Sequence, residues 1–244
     1  MSEANEAAAL VCGFWDETTG VVGIGWNLGG TRGGAVAVEG AVAPRSVEVA
    51  DENGGVRVAL VSEATRIDAS FSPRFRPDAD GDEASADLDE PSVVSCAVRV
   101  ELEGRGRALE CAGQVSRWTR SPIEGMGLFR HLAIPAPDGG LLVATSAREP
   151  DRSDHAAERT AAWLVDADGR STRFAEALLS TQYDAEGRQT RVGLELWPDD
   201  PEAPAMRAAA TALGVAEADG VSAAPMRSSA EGTTGLGAYL IWRP

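Results

Sequence analysis

The chain has 244 residues and a mass of 25.4 kDa, and its formal net charge of −16 gives a pI near 4.5. Such a charge repels phosphate backbones and anionic lipid, which excludes nucleic acid and membrane surfaces as expected partners. The apolar runs are too short to span a bilayer, and the first residues are acidic where a signal peptide would be basic. We therefore expect a cytoplasmic protein.

The composition also excludes several kinds of chemistry. All 22 basic residues are arginine, so the chain contains no lysine for a Schiff base or a phosphate-binding loop. The 2 histidines and 3 cysteines do not stand at metal-ligand spacing, so we expect neither a metal nor another cofactor. The cysteines are expected to be buried and to serve as small apolar residues.

Short apolar runs separated by Gly, Asn and Asp turns fill the first part of the chain. Strands at this spacing are typical of a β-sandwich or β-barrel and not of alternating strands and helices. The predicted strands cover residues 8–15, 21–28, 35–42, 47–50, 56–62 and 65–72. An Asp/Glu/Ala-rich segment follows and predicts a solvated acidic loop. We accordingly divide the chain into an N-terminal β-barrel half over 1–77, the acidic loop over 78–90 and a C-terminal β-barrel half over 91–244.

The second half contains clearer strand and hairpin patterns. Val98, Val100 and Leu102 alternate with charged residues, as in a half-buried strand. Three hairpins are predicted, each with a turn glycine that can adopt a positive φ. They join 128–134 to 141–147, 160–165 to 171–177, and 178–183 to 191–197. The sequence of the whole chain predicts roughly fourteen strands.

One segment predicts a helix. Pro201 follows two aspartates, residues 202–213 are rich in alanine, and Gly214 stands where a C-cap glycine belongs. The predicted fold is therefore all-β, a lipocalin-like β-barrel or two packed β-barrel halves, with one short late α-helix near 202–213.

Three motifs give the chain a resemblance to a known family. They are Phe14-Trp15-Asp16 followed by Gly23-Ile24-Gly25-Trp26, the central Gly104-Arg105 to Ser116-Arg117-Trp118, and the closing Gly232-x-x-Gly235-x-Gly237-x-Tyr239. This layout resembles the lipocalin-like β-barrel family of hydroxyneurosporene synthase, a carotenoid hydratase. Natural-product Diels–Alderases look like relatives on the same scaffold. The resemblance implies a barrel that holds a hydrophobic small molecule.

The candidate site residues are polar and aromatic side chains of the predicted strands. Gln114, Ser116 and Trp118 share one face of a regular strand, which could hold a carbonyl group. The alternative is that the polar residues face solvent or bond to the backbone and that the tryptophans fill the core. The catalytic candidates are Gln114, Ser116, Trp118, Glu124 and His131, and the substrate-binding candidates are Trp15, Trp26, Arg117, Phe129, Tyr183 and Tyr239.

Three functions fit these residues. The first is a cofactor-independent cyclase of the pericyclase or Diels–Alderase kind, which folds a hydrophobic polyene or polyketide in a barrel cavity during natural-product biosynthesis. The second is a lipocalin-type carrier of an apolar small molecule without turnover. The third is a hydratase or isomerase of an isoprenoid-like substrate, with Glu124 or His131 as the acid. The sequence leaves the oligomeric state open.

Overall fold

A computed structural model describes residues 9–38, 41–52, 55–62, 66–74, 91–102, 108–152, 154 and 157–244. Eighteen strands and one 3₁₀ turn, Pro137–Gly139, form its regular structure. The first eight are β1 (Ala9–Asp16), β2 (Val21–Leu28), β3 (Thr31–Val38), β4 (Ala41–Glu52), β5 (Gly55–Val61), β6 (Arg66–Pro73), β7 (Ser92–Leu102) and β8 (Ala108–Trp118). The others are β9 (Leu128–Pro135), β10 (Leu141–Arg148), β11 (Arg159–Val165), β12 (Ser171–Arg173), β13 (Glu176–Tyr183), β14 (Gln189–Trp197), β15 (Met206–Ala212), β16 (Ala216–Ala218), β17 (Val221–Ala230) and β18 (Thr233–Trp242).

Strands β1 to β8 close into an antiparallel barrel in chain order, because β1 pairs with β8 as well as with β2. Alternate residues of each strand point inward, so one apolar set from nearly every strand fills the interior. Phe14, Leu60 and Phe71 are among these buried side chains. The interior of this barrel is therefore a packed core.

Strands β9 to β18 form a second, ten-stranded antiparallel sheet. It runs in the order β12-β11-β10-β9-β18-β17-β15-β14-β13, with β16 paired to β17. Strand β13 also contacts β11, so the sheet curls back on itself. Its concave face holds a separate apolar core that includes Leu132, Leu194 and Met226.

The outer face of the first barrel packs against the convex face of the second sheet. Val11, Ile24 and Trp26 of the barrel share one buried cluster with Phe129 and Leu240 of the second sheet. A second shared cluster joins β1 and β2 to β9, β10 and β11. Polar residues of the barrel that point towards the second sheet, such as Gln114 and Ser116, are consequently buried between the two halves.

The predicted all-β, barrel-like fold is confirmed, as are the three predicted hairpins of the second half. Their turn glycines, Gly139, Gly169 and Gly187, adopt φ values of 75°, 83° and 80°. The two sheets divide between Trp118 and Leu128, whereas the sequence placed a division at the acidic segment. Strands β7 and β8 thus complete the first barrel.

The predicted helix near 202–213 is wrong. Residues 206–212 form β15, which pairs with β14 and β17. Ala208 and Ala210 are buried between exposed residues, which is the alternation of a strand. Alanine has the highest helix propensity, but the preference is small for each residue, and strand pairing on both sides outweighs it here.

Two further expectations concern other parts of the chain. Cys12, Cys96 and Cys111 are free and buried, and burial raises the pKa of each thiol to about 12.

The acidic segment 78–90 and the Gly104-Arg105 pair lie outside the described residues. Within the described ranges, the structure contains no helix with the length and apolar character of a membrane span.

Candidate functional site

A cavity of about 210 Å³ lies between the two halves, at the point where the chain passes from β8 to β9. Its exposed lining residues leave one side open to solvent. It is lined by Trp118, Ser121, Pro122, Glu124, Met126, Phe129, Thr145, Ala147, Arg159, Thr160, Ala161 and Arg173. The cavity therefore combines aromatic, hydroxyl and guanidinium groups.

The floor of the cavity is the convex face of β9, β10, β11 and β12. Directly opposed residues of antiparallel strands point to the same face, so the register defines rows of neighbours. One row contains Phe129, Ala147 and Arg159, in that order across three strands. The adjacent row contains His131, Thr145 and Ala161.

Small residues open this floor, since Ala147 and Ala161 occupy the positions between the larger side chains. Strands are spaced about 4.8 Å apart, so the Cα atoms of Phe129 and Arg159 are roughly 10 Å apart across two spacings. One side of the floor is thus aromatic and the other side is cationic. Thr145 is the hydroxyl residue near the centre.

The roof is formed by Trp118 and by the segment that links the two halves. The Trp118 ring packs edge-to-face on Phe129, with ring centroids 5.8 Å apart. Backbone hydrogen bonds from Glu124 N to Ser121 O (3.3 Å) and from Met126 N to Ile123 O (3.1 Å) fold the link into turns. Gly127 N donates to Arg148 O at 2.8 Å, which holds the end of the link on β10.

Two guanidinium groups flank the open side. Arg159 Nη2 lies 3.9 Å from Met126 Sδ, so this side chain reaches from the floor towards the linking segment. Arg173 stands on β12 opposite Trp163 and lines the same cavity. Glu124 contributes the carboxylate of the lining. The cavity therefore carries two cationic groups and one anionic group in a chain that is strongly acidic overall.

A buried polar chain lies directly behind Trp118. Ser116 Oγ donates to Gln114 Oε1 at 2.9 Å, and His131 Nε2 lies 3.0 Å from Ser116 Oγ. The His131 ring packs edge-to-face on Trp118 at 5.8 Å between centroids. Gln114, Ser116 and His131 are all fully buried. The chain of polar groups connects the barrel wall to the second sheet.

Burial lowers the pKa of His131 to about 3, so its imidazole is neutral at physiological pH. Among the described residues, His131 Nδ1 and Gln114 Nε2 have no hydrogen-bond partner. Because the Ser116 hydroxyl donates its proton to Gln114, a neutral His131 donates to Ser116 through Nε2–H, and this bond can orient Ser116. The neutral imidazole does not supply the proton that an acid catalyst needs.

The structure brings together only some of the residues that the sequence singled out. Trp118, Glu124 and Phe129 line the cavity. Gln114 and Ser116 share a strand face with Trp118, as predicted, but this face points out of the barrel and into the interface. The chemical role of each of these residues remains a prediction.

The other predicted residues lie elsewhere. Trp15 and Trp26 are buried in the two clusters between the halves, and Arg117 is on the opposite face of β8 from Trp118. Tyr239 is buried in the concave core, where its hydroxyl lies 2.6 Å from Thr181 Oγ1. Tyr183 is exposed, and Arg243 covers its ring at 4.9 Å from the centroid.

Sequence reasoning missed the β10 to β12 side of the cavity. Thr145, Arg159 and Arg173 stand on strands that were correctly predicted, and each occurs in a pattern typical of an ordinary half-exposed strand. Only the pairing register of β10, β11 and β12 places these three residues on the floor of one cavity. The small side chains of Ala147, opposite Phe129, and of Ala161, opposite Thr145, are the signal that could have pointed to an open space there.

No group of three or more His, Cys, Asp or Glu side chains in the described part of the chain is arranged to hold a metal ion. The cavity itself contributes one carboxylate and no thiol. Its polar groups are hydroxyls and guanidiniums, which suit hydrogen bonding to an organic ligand.

Comparison with known proteins shows the fold. No family model and no curated protein matches the chain. A crystal structure of a candidate AttH from Nitrosomonas europaea superposes with a TM-score of 0.61 at 12% identity, covering 97% of this chain and 92% of that one. CghA with Sch210972 gives 0.57 at 9% identity, and CghA alone gives 0.56 at 10%, each covering 96% of this chain and 87% of theirs. At such identities the likeness concerns architecture alone.

Proposed function

We propose that the protein is a cofactor-independent cyclase that binds a hydrophobic polyene or polyketide in the cavity between its two halves. The observation that carries this proposal is the floor of the cavity. An aromatic corner of Trp118 and Phe129 adjoins small alanines and a central Thr145 hydroxyl. Such a surface can hold an apolar chain in a folded conformation.

Cyclisation of a polyene makes modest demands on a site. Holding the two reacting ends near each other removes much of the entropic barrier, by several kcal/mol in well-oriented systems. Trp118 and Phe129 would supply the flat apolar contact, and Thr145 would donate a hydrogen bond to a conjugated carbonyl. No proton needs to enter or leave the substrate, which agrees with the neutral state of His131.

The structural neighbours support a small-molecule ligand. CghA shares the fold over most of both chains, and one of its structures is a complex with Sch210972. The sequence motifs independently suggested the Diels–Alderases of natural-product biosynthesis. The cavity differs from the expected site in one respect, because it lies between the halves and not inside a barrel.

A carrier without turnover is the second candidate. It is favoured by the open side of the cavity and by the absence of a buried titratable group among the cavity residues. A hydratase is less well supported, since Glu124 is exposed and burial keeps His131 uncharged by lowering its pKa.

The test is incubation with linear polyenes that carry a conjugated carbonyl, followed by tryptophan fluorescence and mass spectrometry. The cyclase proposal expects saturable quenching and a cyclised product of unchanged mass. Ligand that is returned intact would indicate a carrier, and a product heavier by one water would indicate a hydratase. Trp118→Phe should reduce the quenching, whereas Trp197→Phe, on β14 outside the cavity lining, serves as the matched control.

A further inference from the structure

The charged rim of the cavity restricts the class of ligand. Arg159, Arg173 and Glu124 are exposed residues of its lining. The chain as a whole carries a net charge of −16, so its overall field repels anions. Two guanidinium groups and one carboxylate therefore stand together in the lining of this opening.

The positions of the two arginines are fixed by strand pairing. Arg159 faces Ala147 across one strand spacing, and Arg173 faces Trp163 on the neighbouring row. Guanidinium groups bind carboxylates and similar planar anions through paired N–H donors, which makes arginine selective for such groups. Both side chains already make contacts within the protein, and a ligand would add to these contacts.

The distance between the cationic and aromatic sides gives the shape of the ligand. Phe129 and Arg159 lie in one row, two strand spacings or roughly 10 Å apart, with Ala147 between them. A ligand that contacts both must have an anionic group at one end and an apolar body that reaches over the alanines to Trp118.

We propose that the ligand is an anionic amphiphile, whose carboxylate or similar acidic group binds Arg159 and Arg173 while its apolar chain contacts Trp118 and Phe129. This inference rests on the proposed binding of a small molecule in the cavity. It adds the charge and polarity of that molecule, which contact with Trp118 and Phe129 does not determine.

The experiment compares parinaric acid, a conjugated polyene carboxylic acid, with its methyl ester at a pH where the acid is ionised. Binding is followed by energy transfer from tryptophan. The acid should bind at least about tenfold more tightly than the ester, and this preference should shrink as salt is added. Arg159→Gln and Arg173→Gln should each weaken binding of the acid by about tenfold and leave binding of the ester unchanged.

Arg170→Gln is the matched control, since it removes the same charge from an exposed position outside the cavity, where Arg170 pairs with Asp168. Equal affinity for the acid and the ester would overturn this inference while leaving the proposed cavity intact. An effect of Arg170→Gln as large as that of the cavity variants would also overturn it, because it would indicate only a general charge effect. If neither probe binds, both the proposed cavity and this inference fail.

Discussion

Thr145 is the polar residue at the centre of the cavity floor, with His131 on one side and Ala161 on the other. If it donates a hydrogen bond to a substrate carbonyl, Thr145→Val should lower kcat by about 10- to 100-fold, because this bond strengthens as charge develops on the oxygen. KM should change little. Steady-state kinetics would show this, with Thr172→Val on the exposed face of β12 as the control. An unchanged kcat would remove Thr145 from the mechanism.

Ala161 keeps the floor open. Ala161→Leu should fill the cavity and abolish ligand binding, while the free energy of unfolding changes by less than about 1.5 kcal/mol because the added methyl groups enter open space. Fluorescence titration and urea unfolding measure the two effects separately. Ala209→Leu, at an exposed position of β15, provides the control for adding a large side chain to a strand. Full ligand affinity in Ala161→Leu would place the binding site elsewhere.

His131 makes stability dependent on pH. Above its ordinary pKa of 6.5, both the folded and the unfolded states are neutral at this residue. Between about 6.5 and about 3, the unfolded chain binds a proton that the folded chain excludes, so stability falls as the pH falls. One proton corresponds to about 1.4 kcal/mol per pH unit.

The comparison of wild type with His131→Gln isolates this contribution from that of the carboxylates. Urea unfolding at several pH values between about 7 and 4 should give a shallower loss of stability in the variant. Parallel curves for the two proteins would show that His131 takes up its proton equally in both states.

At the scale of elements, the buried carboxylate of Glu158 joins β9 and β10 to the start of β11. Arg130 Nη1 on β9 donates to Glu158 Oε2 at 2.9 Å, and Ser146 Oγ on β10 donates to the same oxygen at 3.0 Å. Arg148 Nη1 donates to Glu158 Oε1 at 3.2 Å. Glu158 immediately precedes β11, so these bonds fix the start of the strand that carries Arg159 into the cavity.

Glu158→Gln should destabilise the protein by roughly 3–5 kcal/mol, because it leaves the Arg130 charge buried without its counterion. The exposed fractions of these two side chains are 4% each. In the matched pair Arg99–Glu101 they are 61% and 63%, so Glu101→Gln should cost less than about 1 kcal/mol. Chemical denaturation gives both values. A small effect of Glu158→Gln would mean that water reaches Arg130 readily.

The elements were predictable from the sequence where local rules decide them. Gly139, Gly169 and Gly187 mark their turns because few other residues adopt a positive φ. Residues 206–212 misled the same reasoning, since an alanine-rich segment carries little information about its pairing partners. The cavity could not be predicted from such local rules, because the placement of Phe129 and Arg159 in one row depends on the register of three strands. A shift of one residue would reverse which side chains face it.

At the scale of the whole molecule, the two halves share their apolar surfaces. Trp26 and Val11 on the outside of the barrel are buried by Leu240 and its neighbours from the second sheet. Separation of the halves would expose these clusters together with the polar chain from Gln114 to His131. Neither half can leave the other without a large loss of buried apolar area.

We therefore expect a single cooperative unfolding transition. Tryptophan fluorescence and far-UV circular dichroism, recorded across a urea titration, should give coincident curves. Tryptophans occur in both halves, at Trp26 and Trp197 for example, so variants that retain one of them report on each half separately. Two resolved transitions would show that the halves fold independently despite their shared core.

The segment that joins the halves is also the roof of the cavity. Residues 119–127 connect β8 to β9, and within them Ser121, Pro122, Glu124 and Met126 line the space above Phe129. A change of length or composition in this one loop would therefore alter ligand preference while both sheets keep their pairing. For protein engineering, a library confined to this loop would diversify the cavity on a constant scaffold. The same loop gives natural variation a short route to new specificities.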